Sequence, residues 1–154
     1  MSILVLAFMI GVIAGLRAIT APAVVSWAAR LGWINLSGTH LAFLGYAATP
    51  YIFSVLALGE IINDKLPNTP SRKVPPQFIT RIVSGAFCGA ALGLSHDSLI
   101  GGLILGAIGA VVGTLGGSAV RTGLAKAFGN DLPAALLEDF VAVVGGLFIV
   151  HLAI

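Results

Sequence analysis

The chain reads as long apolar blocks parted by short polar breaks. The blocks run from Ile3 to Leu31, Leu41 to Ile62, Phe78 to Leu94, Leu99 to about Phe128, and Ala134 to Ile154. Between them lie Asn35 to His40, the charged stretch Gly59 to Arg81, the turn Ser95-His96-Asp97, and Gly129 to Pro133. Loop backbone finds no hydrogen-bond partners in lipid, so apolar runs of this length divided by polar, proline-bearing loops predict membrane-crossing helices. The pattern predicts an all-α integral membrane protein, a bundle of about five transmembrane helices forming a single domain over residues 1–154. The first block is about 29 residues, roughly 43 Å as one helix, against a hydrocarbon core of about 30 Å. Pro22 has no N–H to give the Ala18 carbonyl, so this block is expected to kink or break near Arg17 to Pro22. Pro50 predicts a kink in the second block, and Asp131 with Pro133 marks the start of the fifth, Asp131 as its cap.

Composition sharpens this picture. The chain has 154 residues, of which 58% are hydrophobic and 9% charged, with a mean hydropathy of +1.05. A soluble domain carries roughly 25% charged residues. The net charge of +2 comes from eight basic residues, several set inside apolar runs, which form no basic face for nucleic acid. Cys88 is the only cysteine, so an internal disulfide and a multi-cysteine metal site are excluded. The N-terminus lacks a basic leader, and the first block is expected to remain as a span.

The loop 65–77 is read as a charged hinge between the second and third spans. It holds Lys65, Arg72 and Lys73, followed by Arg81, while Lys126 precedes the fifth span and Arg30 stands alone on the other side. By the positive-inside rule, the N-terminus and hinge face the cytoplasm of an inner (cytoplasmic) membrane and the C-terminus lies outside. Glycines recur every fourth residue at Gly85, Gly89 and Gly93, and again at Gly109, Gly113 and Gly117. Such faces admit another backbone at close range. They suit packing within the subunit, a homodimer formed through the glycine-rich faces, or a permeation path.

Charges inside apolar runs need a reason, because an ionised group at the bilayer centre costs about 2.5–3.5 kcal/mol on insertion scales. Arg17 is expected near mid-depth, with Glu60, Asp64, Arg121, Glu138 and Asp139 gathered toward the cytoplasmic half. Glu60 and Asp64 are four residues apart and share a helix face, so these six residues are expected to form one internal polar cluster. The leading expectation is a transport or channel-like protein for a small ion or polar solute. In it Arg17 and Arg121 act as anion contacts or charge partners, and the four acids as cation or proton sites. A structural membrane protein with buried ion pairs is the alternative. A third reading places a lipid headgroup against Arg72 and Lys73, beside the membrane surface. Nucleotide loops, HExxH and Gly-x-Ser-x-Gly are missing, and His40, His96 and His151 lack metal-ligand spacing, so no cofactor or metal is expected and the reading leans away from an enzyme, a lipid-headgroup enzyme or carrier at the hinge being the alternative.

Four motifs together resemble a family of small bacterial polytopic membrane proteins classed as a domain of unknown function. They are Gly15-Leu16-Arg17 with Pro22, Glu60-x-x-x-Asp64-Lys65-x-Pro67, Arg121-Thr122-Gly123-Leu124, and Leu137-Glu138-Asp139. The resemblance spans nearly the whole chain. It implies intramembrane charges and assigns no activity. The series Gly11, Gly15, Arg17 and Gly113, Gly117, Arg121 also suggests an inverted repeat, although the acids fall on one side of the membrane.

Overall fold

The computed structural model describes residues 2–64 and 74–154. Arg72 and Lys73, with most of the hinge, lie outside these residues. Six α-helices are present among the described residues: α1 (Ile3–Leu16), α2 (Thr20–Arg30), α3 (Thr49–Asp64), α4 (Pro75–Leu94), α5 (Leu99–Phe128) and α6 (Asp131–His151). A short 3-10 turn, Ala42–Gly45, precedes α3. The protein is an all-helical membrane protein: α4, α5 and α6 are each long and apolar enough to cross a bilayer, and α1 is a shorter apolar helix. The outward faces are oily, with Val55, Ile100 and Phe140 among many exposed apolar side chains. Such a surface suits acyl chains rather than water.

Local chemistry fixes the helix ends. The Ser2 hydroxyl accepts a hydrogen bond from the Leu4 N–H, and α4 starts on Pro75, where the absent N–H has no intrahelical partner to lose. Residues 75–77, read as the end of the hinge loop, are thus the first turn of α4. α5 ends on Gly129, whose φ of 70° is the left-handed conformation that glycine adopts freely. The cap of α6 is Asn130, whose side-chain oxygen accepts from the Leu132 N–H at 3.1 Å. Asp131, expected in that role, is taken up by Arg121 instead.

The first apolar block is broken, as Pro22 requires, and the break is a reversal. α1 stops at Leu16, Arg17 is extended (φ −142°, ψ 110°), and α2 begins at Thr20. A side-chain carbon at Gly146 of α6 would touch both Ile13 and Val24. In one continuous helix those residues would lie about 16 Å apart along the axis. Further on, Trp33 packs edge-on against His151 near the end of α6. α2 therefore returns toward the face from which α1 came, and Arg17 to Ile19 is the tip of a re-entrant hairpin. α3 then runs down alongside α2, with Trp27 Nε1 donating to the Ser54 hydroxyl and Asp64 reaching the level of Arg17.

This reversal corrects two expectations. The N-terminus and the hinge were expected on one face, but α3 ends and α4 begins at the hairpin tip's end of the bundle, whereas α1 starts at the opposite end. The inverted repeat fails too, because α1 and α5 run in the same direction: Leu4 meets Gly101, Gly11 meets Gly106, and Gly15 meets Gly113 and Thr114.

The glycine faces are used inside the subunit. A Cβ at Gly89 would sit 2.7 Å from the Gly106 Cα, one at Gly102 2.9 Å from the Gly93 Cα, and one at Gly113 2.9 Å from the Val12 Cα. Backbone meets backbone along both the α4–α5 and α1–α5 seams, which is the packing that small residues allow in a bilayer. A homodimer through these faces would have to displace helices of its own chain. The buried core beside the seams is built from Leu6, Ile10, Ile13, Val25, Leu92 and Val150, with Leu44 from the 3-10 turn.

Candidate functional site

The reversal exposes peptide groups that a continuous helix would have paired, and charged side chains meet them. The last carbonyls of α1 carry the negative end of its dipole. Arg81 Nη1 donates to the Gly15 and Leu16 carbonyls, each at 2.8 Å. The first amides ahead of α2 carry the positive end. Glu60 accepts from the Ala18 N–H at 2.8 Å through Oε1 and from the Ile19 N–H at 2.7 Å through Oε2. The Ala18 carbonyl, deprived of a donor by Pro22, accepts from the Ser84 hydroxyl instead. Thr114, whose hydroxyl bonds the Ala110 carbonyl at 2.8 Å, also lies 3.4 Å from the Gly15 carbonyl.

Arg17 points out of this tip into a nest of carboxylates. Its Nε donates to Asp139 Oδ1 at 2.7 Å, and Nη2 stands 2.5 Å from the same oxygen and 3.0 Å from Asp64 Oδ2. Nη1 faces Glu138 Oε1 at 3.4 Å. The guanidinium is fully buried, at 0% exposure. These Nη contacts are close in distance but poor in angle, and neither Nη1 nor Nη2 has an aligned hydrogen-bond acceptor among the described residues. The Thr20 hydroxyl, on the first turn of α2, is likewise buried without a partner there.

Asp64 Oδ2 links this nest to a second arginine, lying 2.8 Å from Arg121 Nη1. Arg121 forks onto Asp131 through Nε at 3.1 Å and Nη2 at 2.8 Å, and faces Glu138 at 3.8 Å. Five of the chain's six carboxylates thus collect with Arg17, Arg81 and Arg121 around the hairpin tip; only Asp97, at the far turn, is absent. Leu99 and Arg121 are separated by about 33 Å along α5, so the cluster lies toward the α5 end nearest Gly129.

Of the residues singled out in the sequence, the structure brings Arg17, Asp64, Arg121, Glu138 and Asp139 together. Glu60 lies at the same tip, one turn from Asp64, but binds the Ala18 and Ile19 amides instead of an arginine. Arg72 and Lys73 lie outside the described residues. Two participants were missed. Arg81 reads as a loop cation beside the hinge but is buried, at 5% exposure, in the second turn of α4. Asp131 reads as a helix cap, and its ten-residue spacing from Arg121 across the Gly129 turn was the available signal that the two could meet.

Over residues 4–154 the chain matches the family model of a domain of unknown function (DUF4126). No curated protein and no solved structure matches the chain.

Proposed function

We propose that this chain, which belongs to the DUF4126 family, moves a small ion or polar solute across the inner membrane by way of the cluster at Arg17. The observation that carries the reading is a fully buried guanidinium at an unwound hairpin tip, with two nitrogens that lack aligned acceptors. Leaving a buried donor unsatisfied costs about 1–3 kcal/mol. A buried guanidinium packed among carboxylates, set between two half-helix ends, suits an ion or polar solute that can trade places with one of those partners, and discontinuous helices are a recurrent way to build ion sites in transporters. In this reading Arg17 and Arg121 hold the solute or the charge it displaces. Asp64, Glu138 and Asp139 exchange a cation or proton, and Glu60 keeps the tip unwound.

Orientation belongs to the same proposal. In the sequence, Lys65, Arg72 and Lys73 fall between α3 and α4 and Lys126 near the end of α5, against Arg30 at the end of α2. The positive-inside rule then sets the hinge in the cytoplasm and the N-terminus, opposite to it, on the outer side.

The test is flux in reconstituted vesicles loaded with a panel of small anions and cations. Arg17→Gln should abolish the flux while size-exclusion behaviour and helicity persist; undiminished flux in that variant removes the proposal. The burial of Arg17 among three carboxylates also favours a purely structural ion-pair network, and an exchange of charges separates the two. Arg17→Asp combined with Asp139→Arg restores stability under either reading. It restores full activity only if the pair is structural.

A further inference from the structure

Between α5 and α6, a groove of about 320 Å³ runs along the bundle. Val12 and Leu16 of α1, Gly116 and Gly117 of α5, and Leu137 and Val141 of α6 form its walls, and Arg121 and Glu138 are its charged lining residues. The groove exists because the hairpin turns back. Higher on α5 the glycine face is filled by the α1 backbone, but α1 ends at Leu16, and a Cβ at Gly116 would meet nothing within 4 Å.

We propose that this groove seats one acyl chain of a zwitterionic phospholipid from the hinge-side leaflet, with its headgroup at the Arg121–Asp131 pair. Length is the first argument. From Val112 to Leu124 the lining covers roughly 18 Å of α5, close to the depth of one leaflet in a hydrocarbon core of about 30 Å. Girth is the second. A volume of about 320 Å³ suits a single hydrocarbon chain, whereas a helix of about 10 Å diameter from a second copy, over the same length, needs several times as much. Charge is the third. Arg121 in the lining holds Asp131, just outside it, at 2.8 Å, a cation and an anion that match the phosphate and ammonium of one headgroup. An empty apolar slot facing lipid forfeits dispersion contacts that a tail would supply.

Phospholipid retained per chain, counted by native mass spectrometry after extensive detergent washing, tests the assignment. The protein is first reconstituted in vesicles of phosphatidylethanolamine and phosphatidylglycerol. Wild type should keep about one phosphatidylethanolamine per chain under a measure that counts bound molecules directly. Gly116→Leu fills the slot from α5 and Val141→Phe from α6, and each should lower retention about tenfold. Gly123→Leu, also at an open position but away from the lining, should not. Two different walls keep the test alive should one variant misfold. Equal retention in all four proteins overturns the proposal. So does a wild-type dimer that the two filling variants dissociate without loss of lipid, because the occupant is then a second copy. Asp131→Lys should shift retention from phosphatidylethanolamine to phosphatidylglycerol, and an unchanged preference removes the headgroup assignment.

Discussion

At the scale of single residues, the hairpin tip shows how two side chains can stand in for a missing turn of helix. Glu60 supplies two acceptors to two adjacent amides, and Arg81 supplies donors to two adjacent carbonyls. Glu60→Gln keeps one acceptor and strands one amide, so it should cost about 1–3 kcal/mol, with Glu60→Ala costing more. Thermal unfolding in detergent checks the order, and equal midpoints for both variants and wild type would show that the tip does not need the carboxylate. Arg17→Ala strands several buried carboxylates at once and should destabilise by about 3–5 kcal/mol. The sequence marks these charges as misplaced in an apolar run but not which partner each one finds. The i, i+4 spacing of Glu60 and Asp64 correctly puts them on one face of α3. The turn between them, about 5.4 Å of rise, is enough to send one to the backbone of the tip and the other to the arginines.

At the scale of helices, the contrast between filled and open glycines gives a sharp expectation. Gly89→Ala drives a methyl into the backbone of α5, where neither helix can yield, and should lower the unfolding midpoint strongly. Gly123→Ala meets open space within α5 and should be neutral or gain up to about 1 kcal/mol from helix propensity. A comparable loss in both variants would mean that the seams are not the source of tightness. Periodicity made the glycine faces legible, and the α5 boundaries, Leu99 to Phe128, match those read from hydropathy. The reversal of the first block was not legible. A kinked span and two half-length helices have the same composition, and what separates them is the packing of Ile13 and Val24 on one glycine of α6.

For the molecule as a whole, the reversal decides which segments share a side of the membrane. Cys88 is fully buried, so cysteines introduced at Ser2 and at Asn130, both exposed, should be the reactive thiols in an otherwise native chain. Membrane-impermeant maleimide applied to intact cells should label one position and spare the other, and labelling of both from one side would contradict the hairpin. The seams bear on motion too. α1, α4 and α5 interlock through main-chain atoms, whereas α6 meets the hairpin near Gly146 through the ends of aliphatic side chains. Main chain wedged against main chain leaves no slack, because sliding by one residue would drive carbonyls into Cα atoms, while branched side chains can swap rotamers and let a neighbour pass. Under the proposed transport function, α1, α4 and α5 would form the fixed part, and the stroke would fall to α2, α3 and α6.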